Sequence, residues 1–326
     1  MKLSTQEQIA VHALMGAFSA DHTHVCLLHR SQGLVMETTC GDVPVILKVM
    51  ASAHDTADLQ ARLDWIHYLH ENGLNVPRLI ASPQGRWIES VEIEGTWYTA
   101  YAYERIPLTP DHTIDWRDAA MPPLLGEVMG RMHRLARSYR PALGRPTMRH
   151  LQDTGWLQDP ATAFHPSQAV VVEPILHLRD TIAQFPKEAD IYGLIHDDLH
   201  TGNVFRMGHT LAVIDFDCCH HSWFAADLAS ALLFRVWIGP EKENLTDEAV
   251  AFLRGVLQGY RTQHDAPPGW ASMLPHFLKL REISLFWSDY AQVDAATQTG
   301  GGLFWYLFDS IRQDRPFLDL DIEAVG

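Results

Sequence analysis

The hydrophobic pattern of this chain changes character once, near residue 105, and that change restricts the fold more than any other feature. Before it come short runs rich in β-branched and aromatic residues, broken by Gly, Asn and Asp. They read as strands at His24–Leu28, Val35–Cys40, Val43–Met50, Arg86–Glu92 and Trp97–Glu104, with turns at Gly41-Asp42 and Glu94-Gly95. One helix, Thr56–Glu71, interrupts them, with Leu59, Leu63 and Ile66 on one face and Asn72-Gly73 as its stop. Beyond the proline-bearing connection at Ile106-Pro107 the period becomes helical. Helices are expected over Leu124–Tyr139, 170–185, Ala225–Val236, Asp247–Tyr260, Leu274–Tyr290 and Leu303–Arg312. Only Tyr192–Ile195 and Leu211–Ile214 break that series as short strands. Strands grouped first and helices grouped after predict an α+β chain in two lobes, not an alternating parallel sheet. The expected division is a small β-rich lobe over residues 1–105 and a larger helical lobe over residues 106–326.

Composition narrows the partners. With 25 Lys and Arg against 40 Asp and Glu, the formal charge of the 326 residues is −15. Such acidity argues against nucleic acid or an anionic membrane as the main partner, and it permits a cationic small molecule. The four cysteines, Cys26, Cys40, Cys218 and Cys219, contain no CxxC pair. They suit a reducing compartment better than a disulfide framework. No apolar run approaches the length of a membrane span. Residues 1–20 carry Gln6, Glu7, Gln8 and His12 within their apolar stretch, so they read as an amphipathic helix and not a signal peptide. A soluble, cytoplasmic protein is expected; the oligomeric state is not legible.

The chemistry concentrates in Gly193-Leu-Ile-His-Asp-Asp-Leu-His-Thr-Gly-Asn-Val-Phe and the later Leu-Ala-Val-Ile-Asp-Phe-Asp217. A short strand ends, a polar loop holds His196, Asp198, His200 and Asn203, and a second short strand delivers Asp215. Carboxylates and an amide oxygen are hard ligands of the kind Mg²⁺ prefers, with substrate phosphates completing its shell. A carboxylate beside such a metal can take a proton from an attacking hydroxyl.

These residues resemble the aminoglycoside phosphotransferase-like family, within the protein-kinase-like fold. The family's H-G-D-x-H-x-G-N is met here by His196-Asp197-Asp198-Leu199-His200-Thr201-Gly202-Asn203, and its I-D-x-D by Ile214-Asp215-Phe216-Asp217. Asp227-Leu228-Ala229 resembles the Asp-Leu-Ala that opens the next helix, and Leu125 to Leu135 resembles the family's Leu-Gly…His-x-Leu helix. Lys48 stands where a kinase strand lysine is expected. The resemblance implies ATP as donor, with GTP as the alternative, and Mg²⁺ as cofactor. Asp198 would be the base or orienter of the acceptor hydroxyl. Asn203 and Asp215 would hold the metal, and Lys48 the α- and β-phosphates. His196 and His200 would support the loop, Asp217 would be a second metal contact or a turn residue, and Asp227 would hold the loop backbone. The loop His29–Leu34 would cover the phosphates. The implied reaction is transfer of the γ-phosphoryl group to a hydroxyl of a small molecule: an amino alcohol, an aminoglycoside or a sugar-like compound. A protein Ser/Thr kinase and a nucleotide-binding pseudokinase scaffold are the alternatives.

The sequence departs from the pattern twice. Asp197 replaces a glycine and adds a negative charge beside Asp198, which would raise the latter's proton affinity unless a cation compensates. On the helix after the lysine strand, Arg62 occupies the slot where related sequences have a glutamate, leaving Asp55 or Asp58 as substitutes. His196 and His200, with Cys218 to His221 nearby, raise a zinc alternative. Gly202 argues for a loop, in which a four-residue spacing does not stack two imidazoles. The late aromatics Trp270, Trp287, Tyr290, Trp305 and Tyr306 could face a cationic acceptor, but rings this large more often fill cores. Arg140, Arg145 and Arg149 read as a solvated basic loop, and Gly300 to Gly302 as a flexible loop between helices.

Overall fold

The β-branched and aromatic runs of the first third pair into one antiparallel sheet. In chain order its strands are β1 (Cys26–Arg30), β2 (Leu34–Cys40), β3 (Val43–Ser52), β4 (Leu79–Ile80), β5 (Glu89–Ile93) and β6 (Thr96–Glu104). They lie in the order β1-β2-β3-β6-β4, with β5 also pairing β6. The computed structural model describes residues 3–30, 33–52, 56–107, 118–238, 245–298, 302–318, 320 and 325. Packing groups Met1–Asp111, Arg140–Met148 and Ala212–Ile214 in one unit, and His112–Tyr139, Arg149–Leu211 and Asp215–Gly326 in another.

In the first unit, helix α1 (Thr5–Ala17) begins with a capping box: Ser4 Oγ accepts the Glu7 amide, and the Glu7 carboxylate accepts the Ser4 amide. Its Ala10, Val11, Leu14 and Met15 form one buried cluster with Leu34, Met36, Leu47, Val49, Ala100 and Ala102 from β2, β3 and β6. Successive strand residues point to opposite faces, so Lys48 stands on the face away from this cluster. It pairs in register with Val35 on β2 and Tyr101 on β6. Helix α2 (Ala57–Glu71) buries Leu59, Leu63 and Ile66, the predicted face. Arg140, Arg145 and Arg149 are exposed, as a solvated basic loop requires, and the Arg145 guanidinium also stands 3.5 Å from Asp64 of α2.

The second unit contains α3 (Met121–Ser138), the short α4 (Gly155–Gln158) and α5 (Pro160–Ala163), then α6 (Val172–Ile182), β7 (Tyr192–Ile195), β8 (Val204–Met207) and β10 (His220–Trp223). The partner of β8 in its hairpin, β9 (Thr210–Val213), begins in this unit, and its Ala212 and Val213 are grouped with the first. Helices α7 (Phe224–Ile238), α8 (Leu245–Tyr260), α9 (Trp270–Tyr290) and α10 (Gly302–Arg312) follow. Helices α3 and α8 cross with almost no gap. A Cβ at Gly126 or Gly259 would run into the carbonyl oxygen of Val256 or Pro123. Strand β10 was not predicted, because His-His-Ser-Trp has no strand alternation; it forms by pairing antiparallel to β7, Ile195 opposite His220. Trp287, Trp305 and Tyr306 remain exposed, while Phe286, Phe304 and Phe308 take the buried positions. The expectation of core aromatics therefore fails at those three rings, which stand off the buried stripe of their helices. Gly300 and Gly301 lie outside the described residues, and Gly302 opens α10. No described helix is long and apolar enough to cross a membrane.

Candidate active site

Strand β7 ends at Ile195, and the polar loop that follows is anchored from beneath by Asp227, in the first turn of α7. Asp227 is fully buried. Its carboxylate accepts the backbone amides of His196 (3.1 Å) and Asp197 (2.6 Å) and Nε2–H of His133 (2.9 Å). The other ring nitrogen of His133 lies 2.9 Å from the Tyr260 hydroxyl. Burial pushes the Asp227 carboxyl upward, but the His133 bond and the loop amides outweigh it and hold its pKa below the ordinary value. Burial, with Asp227 adding, raises the Tyr260 phenol.

Asp197 adopts φ 60°, the left-handed region in which glycine is at ease. The motif's usual glycine thus answers a backbone need, which aspartate meets here with its main chain tied at both ends. The amide is held by Asp227, and the carbonyl accepts Ser230 Oγ–H at 3.0 Å. Burial lifts the Asp197 carboxyl to about 6, against the pull of Arg281 and His220.

Asp198 is gripped on both oxygens. Its Oδ2 accepts Asn203 Nδ2–H at 2.9 Å and lies 3.4 Å from His200 Nε2. Its Oδ1 accepts Arg281 Nη2–H at 2.5 Å, and its amide donates to His196 Nδ1 at 3.2 Å. Burial would raise this carboxyl, but the His200 bond and the Arg281 charge prevail and bring it to about 2. The raised proton affinity expected from Asp197 is therefore not what the structure shows, because Arg281 supplies the compensating cation. Asn203 also donates to the Asp198 carbonyl at 3.0 Å. With its NH₂ directed at Asp198, its amide oxygen is presented on the opposite side. His200 is a structural hydrogen bonder: Nδ1 accepts the Gly202 amide at 2.9 Å, and its ring packs 4.6 Å from Phe234.

His196, Asp198, His200, Asn203 and Asp227 are thus joined in one network. Asp215 follows β9 at φ 63°, and Asp217 sits in the single turn Phe216–Cys218. Lys48 belongs to the first unit, 8% exposed on β3. Arg62 of α2 pairs with Asp58 one turn earlier, at 3.2 Å. Asp55 and residues 31–32 of the proposed phosphate loop lie outside the described residues. An amide oxygen at Asn203 and a carboxylate at Asp215 fit a hard divalent cation. The zinc alternative fares worse. The Nδ1 atoms of His196 and His200 already accept backbone amides.

Three members of this network were missed in the sequence. His133 lies in the recognised α3 motif but without an assigned role. Tyr260 follows the pair Gly255 and Gly259, a small-residue spacing that marks a close helix crossing. Arg281 had only a weak signal, since it shares the stretch Phe277 to Phe286 with two other charges, Lys279 and Glu282, and nothing in that stretch says which of them meets the loop.

A family profile described as phosphotransferase enzyme family, APH, matches residues 33–276. The amicoumacin kinase of Bacillus subtilis (strain 168) is 28% identical over 295 residues, spanning 87% of this chain and 85% of that protein. Among solved structures, an amicoumacin kinase in complex with AMP-PNP, Ca²⁺ and Ami superposes with TM-score 0.88 at 22% identity, over 99% of this chain and 98% of its own. A microcompartment-associated aminopropanol kinase gives TM-score 0.72 at 19% identity, over 92% and 93%. The fold is therefore α+β, as the strand and helix order predicts, and protein-kinase-like, as the resemblance implies, and the chain belongs to the phosphotransferase enzyme family.

Proposed function

We propose that this protein transfers the γ-phosphoryl group of ATP, with Mg²⁺, to a hydroxyl of a small, amino-bearing acceptor. The observation that carries the reading is the Asp198 carboxylate, held on one oxygen by Asn203 and on the other by Arg281. In this reading residues 1–105 are the nucleotide-binding lobe and residues 106–326 the catalytic and acceptor-binding lobe. Lys48 binds the α- and β-phosphates. Asn203 and Asp215 would hold Mg²⁺, which when bound neutralises charge on the phosphate oxygens.

Asp198 orients the acceptor hydroxyl and receives its proton. With a pKa near 2 it is a weak base. That suits phosphoryl transfer, whose loose transition state asks for aim and charge balance before deprotonation. His196 and Asp227 hold the loop in shape, and His200 and Asn203 fix the Asp198 side chain. Asp217 either contacts the metal or completes the turn.

An amino-bearing acceptor is supported by the net charge of −15, by the exposed rings of Trp287, Trp305 and Tyr306, and by the named substrates of the relatives, amicoumacin and aminopropanol. The test is nucleotide consumption with ATP and with GTP across hydroxylated amines, aminoglycosides, neutral sugars and a general protein substrate. Turnover is expected with ATP and an amine-bearing hydroxyl. Phosphorylation of the protein substrate alone would replace this reading with that of a protein kinase. Nucleotide binding without any turnover would replace it with that of a scaffold.

A further inference from the structure

Asp197 places a second carboxylate next to Asp198, a position where a chain needs only glycine's freedom. The side chain that meets this charge comes from α9. Arg281 is 9% exposed; its Nη2 donates to Asp198 Oδ1 at 2.5 Å, and its Nη1 stands 3.8 Å from Asp197 Oδ2. The guanidinium lies over the ring of Phe234, 5.2 Å from the centroid, which closes that side. Its Nε–H is buried without an acceptor among the described residues.

A buried cation with an unsatisfied donor is poorly arranged for stability, since apolar residues of similar volume usually serve a core as well or better. What the fork does achieve is geometric. One nitrogen holds Asp198 and the other faces Asp197, so a single rigid group spans both carboxylates. A lysine ammonium is a point charge and cannot reproduce that planar fork. With Asn203 on Oδ2 and Arg281 on Oδ1, rotation of the Asp198 carboxylate is blocked from both sides, and each oxygen keeps a lone pair for the acceptor hydroxyl.

We propose that Arg281 is a positioning residue of the transfer reaction: it offsets the charge that Asp197 adds and fixes the Asp198 carboxylate in the orientation that receives the hydroxyl. The inference rests on the reading of Asp198 given above. It also makes Asp197 and Arg281 a linked pair, so the loss of Arg281 should be partly relieved by removing Asp197.

The experiment compares wild type, Arg281→Met, Arg281→Lys, Asp197→Gly and the double variant Asp197→Gly/Arg281→Met, by steady-state kinetics and by hydrogen exchange of the loop amides. For Arg281→Met, kcat is expected to fall about 10²-fold while the nucleotide KM stays within about threefold, since misplacement of a reacting group acts on the chemical step. Arg281→Lys should lose about fivefold to tenfold in kcat, and the double variant should recover about tenfold over Arg281→Met. A double variant no faster than Arg281→Met would overturn the proposal. So would Arg281→Met or Arg281→Lys within about twofold of wild type, or a loss carried by nucleotide KM alone. If Arg281→Met does not fold, Arg281→Lys takes its place, and an Asp197→Gly/Arg281→Lys variant no faster than Arg281→Lys would overturn the proposal.

Hydrogen exchange gives an answer that needs no turnover. With Arg281→Met or Arg281→Lys the Asp198 and Gly202 amides should exchange faster than in wild type, while those of β7 should not. Unchanged exchange in the loop would overturn the clamp. Absence of turnover in wild type on every acceptor would instead strike the phosphoryl-transfer reading, and the exchange result would still stand on its own.

Discussion

Lys48 and Asp198 are both set at defined points of the fold, but by different means. Lys48 is placed by backbone: it lies inside a ten-residue strand, paired on one side with Val35 and on the other with Tyr101. Asp198 is placed by side chains. Its loop hangs from Asp227, and its carboxylate is held by Asn203, His200 and Arg281. A ladder distributes its hold over many equivalent bonds, whereas a buried polar network depends on each member being satisfied. Substitutions around Lys48 should therefore act on what the side chain binds, and substitutions in the loop network should act on structure and chemistry together.

The comparison can be broken most directly at Asp198. Replacing it by asparagine keeps its size and one acceptor oxygen, and turnover is expected to fall by roughly 10²–10⁴ with little change in calorimetric nucleotide affinity. Undiminished turnover would remove Asp198 from the reaction. Next, Asp227→Ala strips two loop amides and His133 of their common acceptor, all in a buried site. A loss of about 3–5 kcal/mol in unfolding free energy is expected from denaturant titration. A loss under about 1 kcal/mol would mean that the loop does not hang from Asp227. Lys48→Met should show the opposite profile. Nucleotide binding should weaken by about 1.5–3 kcal/mol, the worth of hydrogen bonds to a charged group. Its melting temperature should drop less than that of Asp227→Ala. An equal drop would erase the distinction between ladder and network.

Two smaller effects refine the comparison. Tyr260→Phe removes one hydroxyl from the far end of the Tyr260–His133–Asp227 chain, and a cost of about 0.5–1.5 kcal/mol in stability is expected. The last effect is one of pH. The Asp197 carboxyl is raised in the folded state to about 6 from 3.8, so between these values the folded protein holds a proton that the unfolded chain has released. The contribution of Asp197 to stability is thus fully present below pH 3.8 and is lost as pH rises through about 6. Unfolding titrations of wild type and Asp197→Asn at several pH values should differ in slope across that window and run parallel above it. Identical slopes would show that burial does not act on Asp197 as described.

Much of this was legible from one dimension. The strand carrying Lys48 reads as an apolar run broken only by that lysine, and the helix after it shows its buried face at Leu59, Leu63 and Ile66, because local pattern reports which residues meet a core. The spacing from His196 to Asn203 was equally legible, since a loop motif is local. Strand β10 was hidden, because His-His-Ser-Trp becomes a strand only through pairing with β7. Likewise, Arg62 was noticed as an anomaly, but its ion pair with Asp58 became visible only with the helix in place.

The sequence by itself determined the order of the elements, the family, and which polar side chains stand within the loop, since each depends on residues a few positions apart. Only the tertiary structure decided how that loop is held. His133 meets Asp227 across 94 positions, Tyr260 meets His133 across 127, and Arg281 meets Asp198 across 83. No periodicity links residues so distant. They come together because Gly126 and Gly259 let α3 and α8 approach closely, and because α7 and α9 carry Phe234 and Arg281 to the same loop, where a buried charge must find its counterpart.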